Sequence, residues 1–455
     1  MFTVNRKLTL MIVGLFTMIT QQGCEKFLDA KPTINLAIPA TLRDVEALLN
    51  NTSVFTMQYS LVGEGSADNY FIGNIEFQAL SSQSGRNTYS WQGDVSVDEN
   101  SWLALYKQVY TANVALEALA SLKPQAADEA GIRKAKGTAL FFRSRALHEI
   151  AVAFAPVFEA STATSKMGIP LRNTTDFTTP SERAGLAASY QQIVEDMKEA
   201  AQLLPLSTSH TMLPNRVAAL AYLSRYYLSM GDFTAAGSYS DSVLLLRNEL
   251  LNYNTINANA DYPVPARNTE VLFEGLMQST QQLTAQFARI DSNLYKSYAP
   301  NDLRKSIFFK TATNGYVFKG NYTGSSWWFG GVATDEMYLT AAECKIRAGE
   351  IQAGLSLLNK LLQTRWKQGT WQPITGLTAS EALQTVLAER RKSLLMREIR
   401  WMDVKRLSVL ETANRVTMKR FVNGKEIILP PGSNRYALPF PETVISMTGM
   451  QQNPE

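Results

Sequence analysis

The sequence predicts a mostly α-helical protein, in which helical hairpins form a scaffold around a large irregular, loop-rich insertion carrying little β-structure. Three observations predict this. Arg216 to Leu246, RVAALAYLSRYYLSMGDFTAAGSYSDSVLLL, places Ala219, Leu220, Leu223, Tyr227 and Leu228, then Phe233, Ala236, Tyr239, Val243 and Leu244, at helical spacing on either side of Gly231-Asp232. Gly ends a helix with positive φ and Asp caps the next, so this stretch is two antiparallel helices joined by a tight turn. Tyr338 to Leu362, YLTAAECKIRAGEIQAGLSLLNKLL, repeats the arrangement around Gly349-Glu350. Such a pair cannot bury both apolar faces alone and needs neighbours of its own kind. Between the two hairpins, from Leu251 onward, Asn, Gly, Tyr, Pro and Ser rise and helical periodicity fades.

The hairpins align residue by residue. Ala342 falls on Ser224, Ile351 on Phe233, Gly354 on Ala236 and Leu361 on Val243. Small residues stand where helices cross closely and large ones fill the gaps. The pattern resembles the tetratricopeptide (TPR) repeat, small-x-x-Tyr…Gly-Asp-Phe-x-x-Ala, with Lys345 in place of the tyrosine matched by Tyr227.

With 455 residues, 45% apolar and 18% charged, the chain affords a sizeable core. A net charge of +4 gives no general push toward nucleic acid. The basic residues from Arg390 to Arg420 are interleaved with Glu389, Glu398, Asp403 and Glu411 and form no nucleic-acid reader. His148 and His210 stand apart, in no zinc-ligand spacing. No Gly-x-Ser-x-Gly elbow, Walker loop or dinucleotide fingerprint occurs, and no cofactor is implied. Cys344 lies in a helical pattern, where a lone Cys behaves as a small apolar residue, and no disulfide with Cys24 is expected.

The chain opens with a secretory signal over residues 1–23. Arg6 and Lys7 supply the positive start, and LTLMIVGLFTMI, Leu8 to Ile19, is too short to span a bilayer comfortably. Gln22-Gly23-Cys24 resembles a bacterial lipoprotein cleavage site, with Gln21 where Leu is usual, and makes Cys24 the expected lipidation site. Acyl chains there would anchor the protein at about 0.8 kcal/mol per buried CH₂. Helices are expected at Thr41–Asn50, Ser101–Leu122, Ala127–Phe154 and Ser189–Leu204. A short strand is expected over Glu270–Glu274, and a charged helix over Glu381–Leu407.

Several segments point to one family. Phe27-Leu28-Asp29 to Pro32 follows a short polar tether, Glu25-Lys26, after Cys24. Asn113 lies within the helix that begins at Ser101, and Gly137, Ala139, Phe141 and Arg143 occur in the next one. Glu389-Arg390-Arg391, Leu394, Met396, Arg400-Trp401, Asp403-Val404 and Arg406 follow in register, and Leu438-Pro439-Phe440-Pro441 and Gln452-Asn453-Pro454 close the chain. Together they resemble the SusD/RagB family of nutrient-binding outer-membrane lipoproteins of Bacteroidetes. Ser393 departs from the family's Glu, and Arg397-Glu398 from its Glu-Gly. The resemblance implies a single domain over 24–455, made of an N-terminal helical part (24–250), an irregular part (251–335) and a C-terminal part (336–455) with a hairpin, the charged helix and a closing segment. It implies a non-enzymatic, cell-surface lipoprotein of the outer membrane. Such a protein captures a nutrient, most often an oligosaccharide, and works with a SusC-like TonB-dependent transporter. Two other readings stay open: a lipid-anchored TPR-type scaffold for a protein or peptide, and a glycoside hydrolase.

A sugar presents C–H patches that aromatic faces complement and hydroxyls that amides and carboxylates satisfy. Candidate ligand-binding residues are therefore aromatics in irregular segments with polar neighbours: Asp68, Asn69 and Tyr70; Trp91 with Asp94; and Trp327 and Trp328. Trp102 and Tyr106, on a periodic face, belong to the core. Adjacent Trp327 and Trp328 point opposite ways if extended, so one of them packs inward. Glu64 and Asp68, four apart, could alternatively serve as an acid/base pair, as cation ligands or as loop caps. Glu389, Asp403 and the arginines around them are expected to form a structural charge network.

Overall fold

The computed structural model describes residues 39–92, 99–123, 128–410 and 412–454. Its long helices are α1 (Glu99–Ser121), α2 (Glu129–Phe154), α3 (Leu186–Leu203), α4 (Arg216–Met230), α5 (Phe233–Leu246), α6 (Thr334–Arg347), α7 (Ile351–Gln363), α8 (Ala379–Ser393) and α9 (Arg400–Leu410). Each packs on the next from α1 through α7, and α8 lies against α6. The strands are short and antiparallel, so the fold is mostly α-helical. Among the described residues no helix is long and apolar enough to cross a membrane.

The α4–α5 turn forms for the reason its sequence gives. Gly231 adopts φ 76°, and the Asp232 side chain accepts from the Ala235 N–H at 2.9 Å. Gly349 adopts φ 87° at the α6–α7 turn, but the Glu350 side chain makes no cap. Ser224 is fully buried and its hydroxyl donates to the Ala236 carbonyl at 2.9 Å. At the matching position in the second hairpin, a Cβ added to Gly354 would stand 2.8 Å from the Ala342 carbonyl oxygen. Both hairpins thus close on small residues.

Buried polar ties hold the N-terminal helices. Asn113 on α1 donates to the Arg172 carbonyl at 2.8 Å and accepts from Arg143 on α2 at 3.0 Å. Arg143 also forks onto Asp196 of α3 through two 2.7 Å bonds. The C-terminal end of α2 is capped twice. The Lys405 ammonium donates to the Val152 and Ala155 carbonyls at 2.6 and 2.7 Å, and Asn453 donates to the Phe154 carbonyl at 2.7 Å. A cation suits the negative end of the helix.

The segment Glu381–Leu407 is not one helix. It breaks between α8 and α9, where Met396 and Glu398 both adopt φ 59°, a left-handed conformation that an α-helix cannot contain. A glycine, which the resemblance expects at 398, would adopt this conformation without strain. Here Glu398 offsets the backbone strain with hydrogen bonds: its carboxylate accepts from the Gly63 and Glu64 N–H groups at 2.5 and 2.7 Å, and its own N–H donates to Glu64 at 3.2 Å. Burial pushes the Glu64 carboxyl up to about 7. Burial and the adjacent Glu64 push Glu398 well above the usual carboxylate range.

The charged signature pins three helices. Asp403 of α9 accepts from Arg390 of α8 at 2.9 Å and from Arg406 at 2.8 Å, and Arg406 forks onto Glu343 of α6 at 2.6 and 2.8 Å. All of these side chains are buried. Glu389 meets Arg304 at 2.7 Å, which in turn holds Asp302 at 2.6 Å.

Within 251–335 the chain forms short ladders. Val271–Phe273, inside the expected strand, pairs with Val332–Ala333, and Leu276–Met277 pairs with Trp328–Phe329. Ala288–Ile290 pairs with Tyr70–Ile72, which lies in the N-terminal part, and Phe309–Ala312 pairs with Gly315–Phe318. The C-terminal part contains a hairpin absent from the sequence expectation, Met418–Val422 with Lys425–Leu429.

Candidate ligand-binding site

An open cleft of about 660 Å³ lies where α1, the Ser53–Leu61 segment and the irregular part meet. Its wall is built by backbone pairing. Leu276 N–H donates to the Thr56 carbonyl at 2.6 Å, and Tyr59 N–H donates back to Leu276 at 3.3 Å. Leu276–Met277 then carries Trp328–Phe329 on its other side, with Met277 opposite Trp328. Close approach here needs glycine: a Cβ on Gly331 would overlap the Phe273 carbonyl, and one on Gly275 would strike the Tyr59 ring.

This pairing sorts the two tryptophans. Trp328 is buried against Phe318, with ring centroids 5.9 Å apart, whereas Trp327 is part-exposed and lines the cleft. Asn100, Leu103 and Lys107 of α1, with Gln58, Gln278 and Thr280, complete the lining that matters chemically. Leu103 is 54% exposed, so an apolar side chain meets solvent on the outer face of α1. The Thr280 hydroxyl is buried and has no hydrogen-bond partner among the described residues. An aromatic face and amides can bind a neutral polar ligand with apolar C–H faces. Among the described residues no carboxylate lines the cleft.

The other sequence candidates lie elsewhere. Asp68 is held by the Arg400 fork at 2.7 and 2.9 Å and by Arg391 at 3.3 Å. Burial would raise its carboxyl, but the Arg400 and Arg391 guanidiniums hold it well below the usual range. Asn69 is buried, donating to Glu64 at 2.7 Å and accepting from Arg391 at 3.2 Å. The Tyr70 hydroxyl donates to the Gly65 carbonyl at 2.7 Å, and the Trp91 indole N–H donates to Ser66 at 2.9 Å. Tyr70, Tyr89 and Trp91 converge on the buried Arg420 guanidinium, which sits 4.6 Å from the Trp91 ring centre. Tyr70 and Trp91 therefore have their faces filled by protein, and truncating Trp91 acts first on stability. Asp94 and Cys24 lie outside the described residues.

Sequence reasoning missed Leu103, Lys107 and Thr280. A signal for the first two existed. Asn100, Leu103, Ala104 and Lys107 recur at i, i+3, i+4 and i+7 on the face opposite Trp102 and Tyr106, and Leu103 is out of place on a polar face. Nothing local marked Thr280, whose place depends on strand pairing.

Comparison with known proteins agrees with this architecture. Residues 26–228 match a family model described as starch-binding associating with outer membrane, and residues 290–455 match that of the SusD family. No curated protein matches the chain. Among solved structures, a SusD superfamily protein of Bacteroides thetaiotaomicron superposes with a TM-score of 0.74 at 22% identity, over 91% of this chain and 100% of its own. One from Bacteroides vulgatus gives 0.75 at 19% identity, over 91% and 99%. A SusD-like carbohydrate binding protein of Bacteroides vulgatus gives 0.68 at 18% identity, over 90% and 97%. These structures share the helical fold. The two family matches together span more than half of the sequence and agree with its motifs, and the chain belongs to the SusD/RagB family.

Proposed function

We propose that this protein is a cell-surface binding lipoprotein that captures an oligosaccharide in the cleft beside Trp327 and hands it to a SusC-like TonB-dependent transporter barrel. The observation that carries this reading is the lining: the part-exposed Trp327 indole shares the cleft with the amides of Gln58, Asn100 and Gln278. Rings of this kind stack on sugar C–H patches, and the polar groups take the hydroxyls. The lipid anchor at Cys24 holds the mature domain, 24–455, at the outer membrane. Binding of the full mature chain to a neutral and acidic glycan panel, with reducing-sugar release followed in parallel, tests the reading. Saturable glycan binding without sugar release supports it. Sugar release points to a hydrolase, and peptide binding without glycan affinity points to a TPR-type scaffold.

A further inference from the structure

The cleft has a charge imbalance that narrows the ligand class. Lys107 is the cationic side chain among the described residues that line it, and no described carboxylate lines it. Lys107 is exposed on α1, and among the described residues its ammonium makes no ion pair or hydrogen bond. The helix offers it no partner one turn away in either direction: Leu103 and Ala104 precede it, and Tyr110 and Thr111 follow. Several other lysines of this molecule do meet a carboxylate. Lys392 meets Glu389 at 2.6 Å, Lys345 meets Asp241 at 3.0 Å, and Lys419 meets Glu426 at 3.1 Å. The nearest described carboxylate at the start of α1, Glu99, accepts from the Thr443 hydroxyl at 2.6 Å, away from the cleft lining.

We infer that the oligosaccharide taken by the Trp327 cleft is acidic, with a uronate carboxylate or a sulfate ester paired to Lys107 while a neighbouring sugar face stacks on Trp327. This rests on the oligosaccharide-binding reading and adds a substrate class to it. An exposed cation that lines the cleft with no ion-pair partner among the described residues attracts an anionic group and makes a charge-assisted hydrogen bond to it. A neutral glycan would gain only an ordinary contact from the same side chain.

The test compares charged and uncharged forms of one chain. Oligogalacturonate is titrated against its carboxyl-reduced counterpart, and a sulfated oligosaccharide against its desulfated form. Each is measured with wild-type full mature protein and with Lys107→Gln, in low salt and in about 1 M salt, where screening shortens to about 3 Å. The inference expects the charged form to bind wild type up to roughly fivefold more tightly than its neutral counterpart, the top of the range for one exposed ion pair. It expects that preference, the ratio of charged-form to neutral-form affinity, to vanish in Lys107→Gln and in high salt. Whichever pair shows the preference distinguishes carboxylate from sulfate. Equal binding of charged and neutral forms by wild type overturns the acidic assignment and leaves oligosaccharide capture standing. A charge preference that persists in Lys107→Gln also overturns it. Failure of every glycan, charged or neutral, to bind overturns the underlying reading together with this one.

Discussion

Removing Asp403 should destabilise the protein without weakening ligand binding. Its carboxylate, 5% exposed, is the shared acceptor of Arg390 and Arg406 and joins α9 to α8. In Asp403→Ala, Arg406 keeps its fork on Glu343 at 2.6 and 2.8 Å. Arg390 keeps the Thr340 hydroxyl at 3.1 Å and a Glu336 carboxylate no nearer than 3.9 Å. The loss is therefore one uncompensated buried guanidinium, a cost of about 3–5 kcal/mol. The double variant Asp403→Ala/Arg390→Met, which also removes the orphan charge, should recover part of it. Denaturant unfolding, reading the midpoint at constant slope, measures both. The gap between wild type and Asp403→Ala also carries a pH signature. Burial would raise the Asp403 carboxyl, but Arg390 and Arg406 hold it below its ordinary value. The contribution is thus complete above the unfolded value of about 4 and fades as pH falls through the lower folded value. A cost under about 1 kcal/mol, or a double variant no better than the single one, would refute the assignment of this carboxylate to structure.

Three further expectations follow from the fold. Burial beside no carboxylate pushes Lys405 down to about 7, so between about pH 7 and 10.5 the unfolded chain binds the extra proton. Wild type should gain stability relative to Lys405→Met as pH rises through that window, by at most about 5 kcal/mol, the carbonyls of Val152 and Ala155 favouring the ammonium and keeping the gain below that ceiling; a pH-independent difference would contradict this. Ala342→Leu should overpack the α6–α7 crossing at Gly354 and cost about 1–3 kcal/mol, and an unchanged unfolding midpoint would contradict the TPR-like register. Cys24→Ala should abolish acyl labelling and release the protein from membranes, whereas an unlabelled, soluble wild type would end the anchoring proposal.

What was legible in the sequence was what helices and turns encode locally. The Gly231-Asp232 turn, the small residues at Ser224 and Ala342 and the apolar stripes of α4 to α7 are all written at helical spacing, and the structure uses them as written. The break at Met396 to Glu398 was hidden because no glycine marks it. The family's glycine is replaced here by a glutamate whose carboxylate reaches a backbone 335 residues away in sequence. The candidate site was legible only in part for the same reason. Trp91 and Trp327 look alike locally, both aromatic in polar, irregular stretches. What separates them is Arg420, which comes from a distant hairpin to cover Trp91, and the Met277–Trp328 pairing, which turns Trp327 outward. Asp68 looked like a ligand residue until Arg391 and Arg400 were placed beside it.

The affinity of Trp327→Ala for a glycan that wild type binds tests the central claim most directly, with unfolding midpoints measured alongside. The account predicts a loss of about 1–2 kcal/mol in binding free energy, in the range of a moderate hot spot, with stability unchanged because the indole is part-exposed. A correctly folded Trp327→Ala that binds the glycan as tightly as wild type would place the ligand elsewhere and contradict the account.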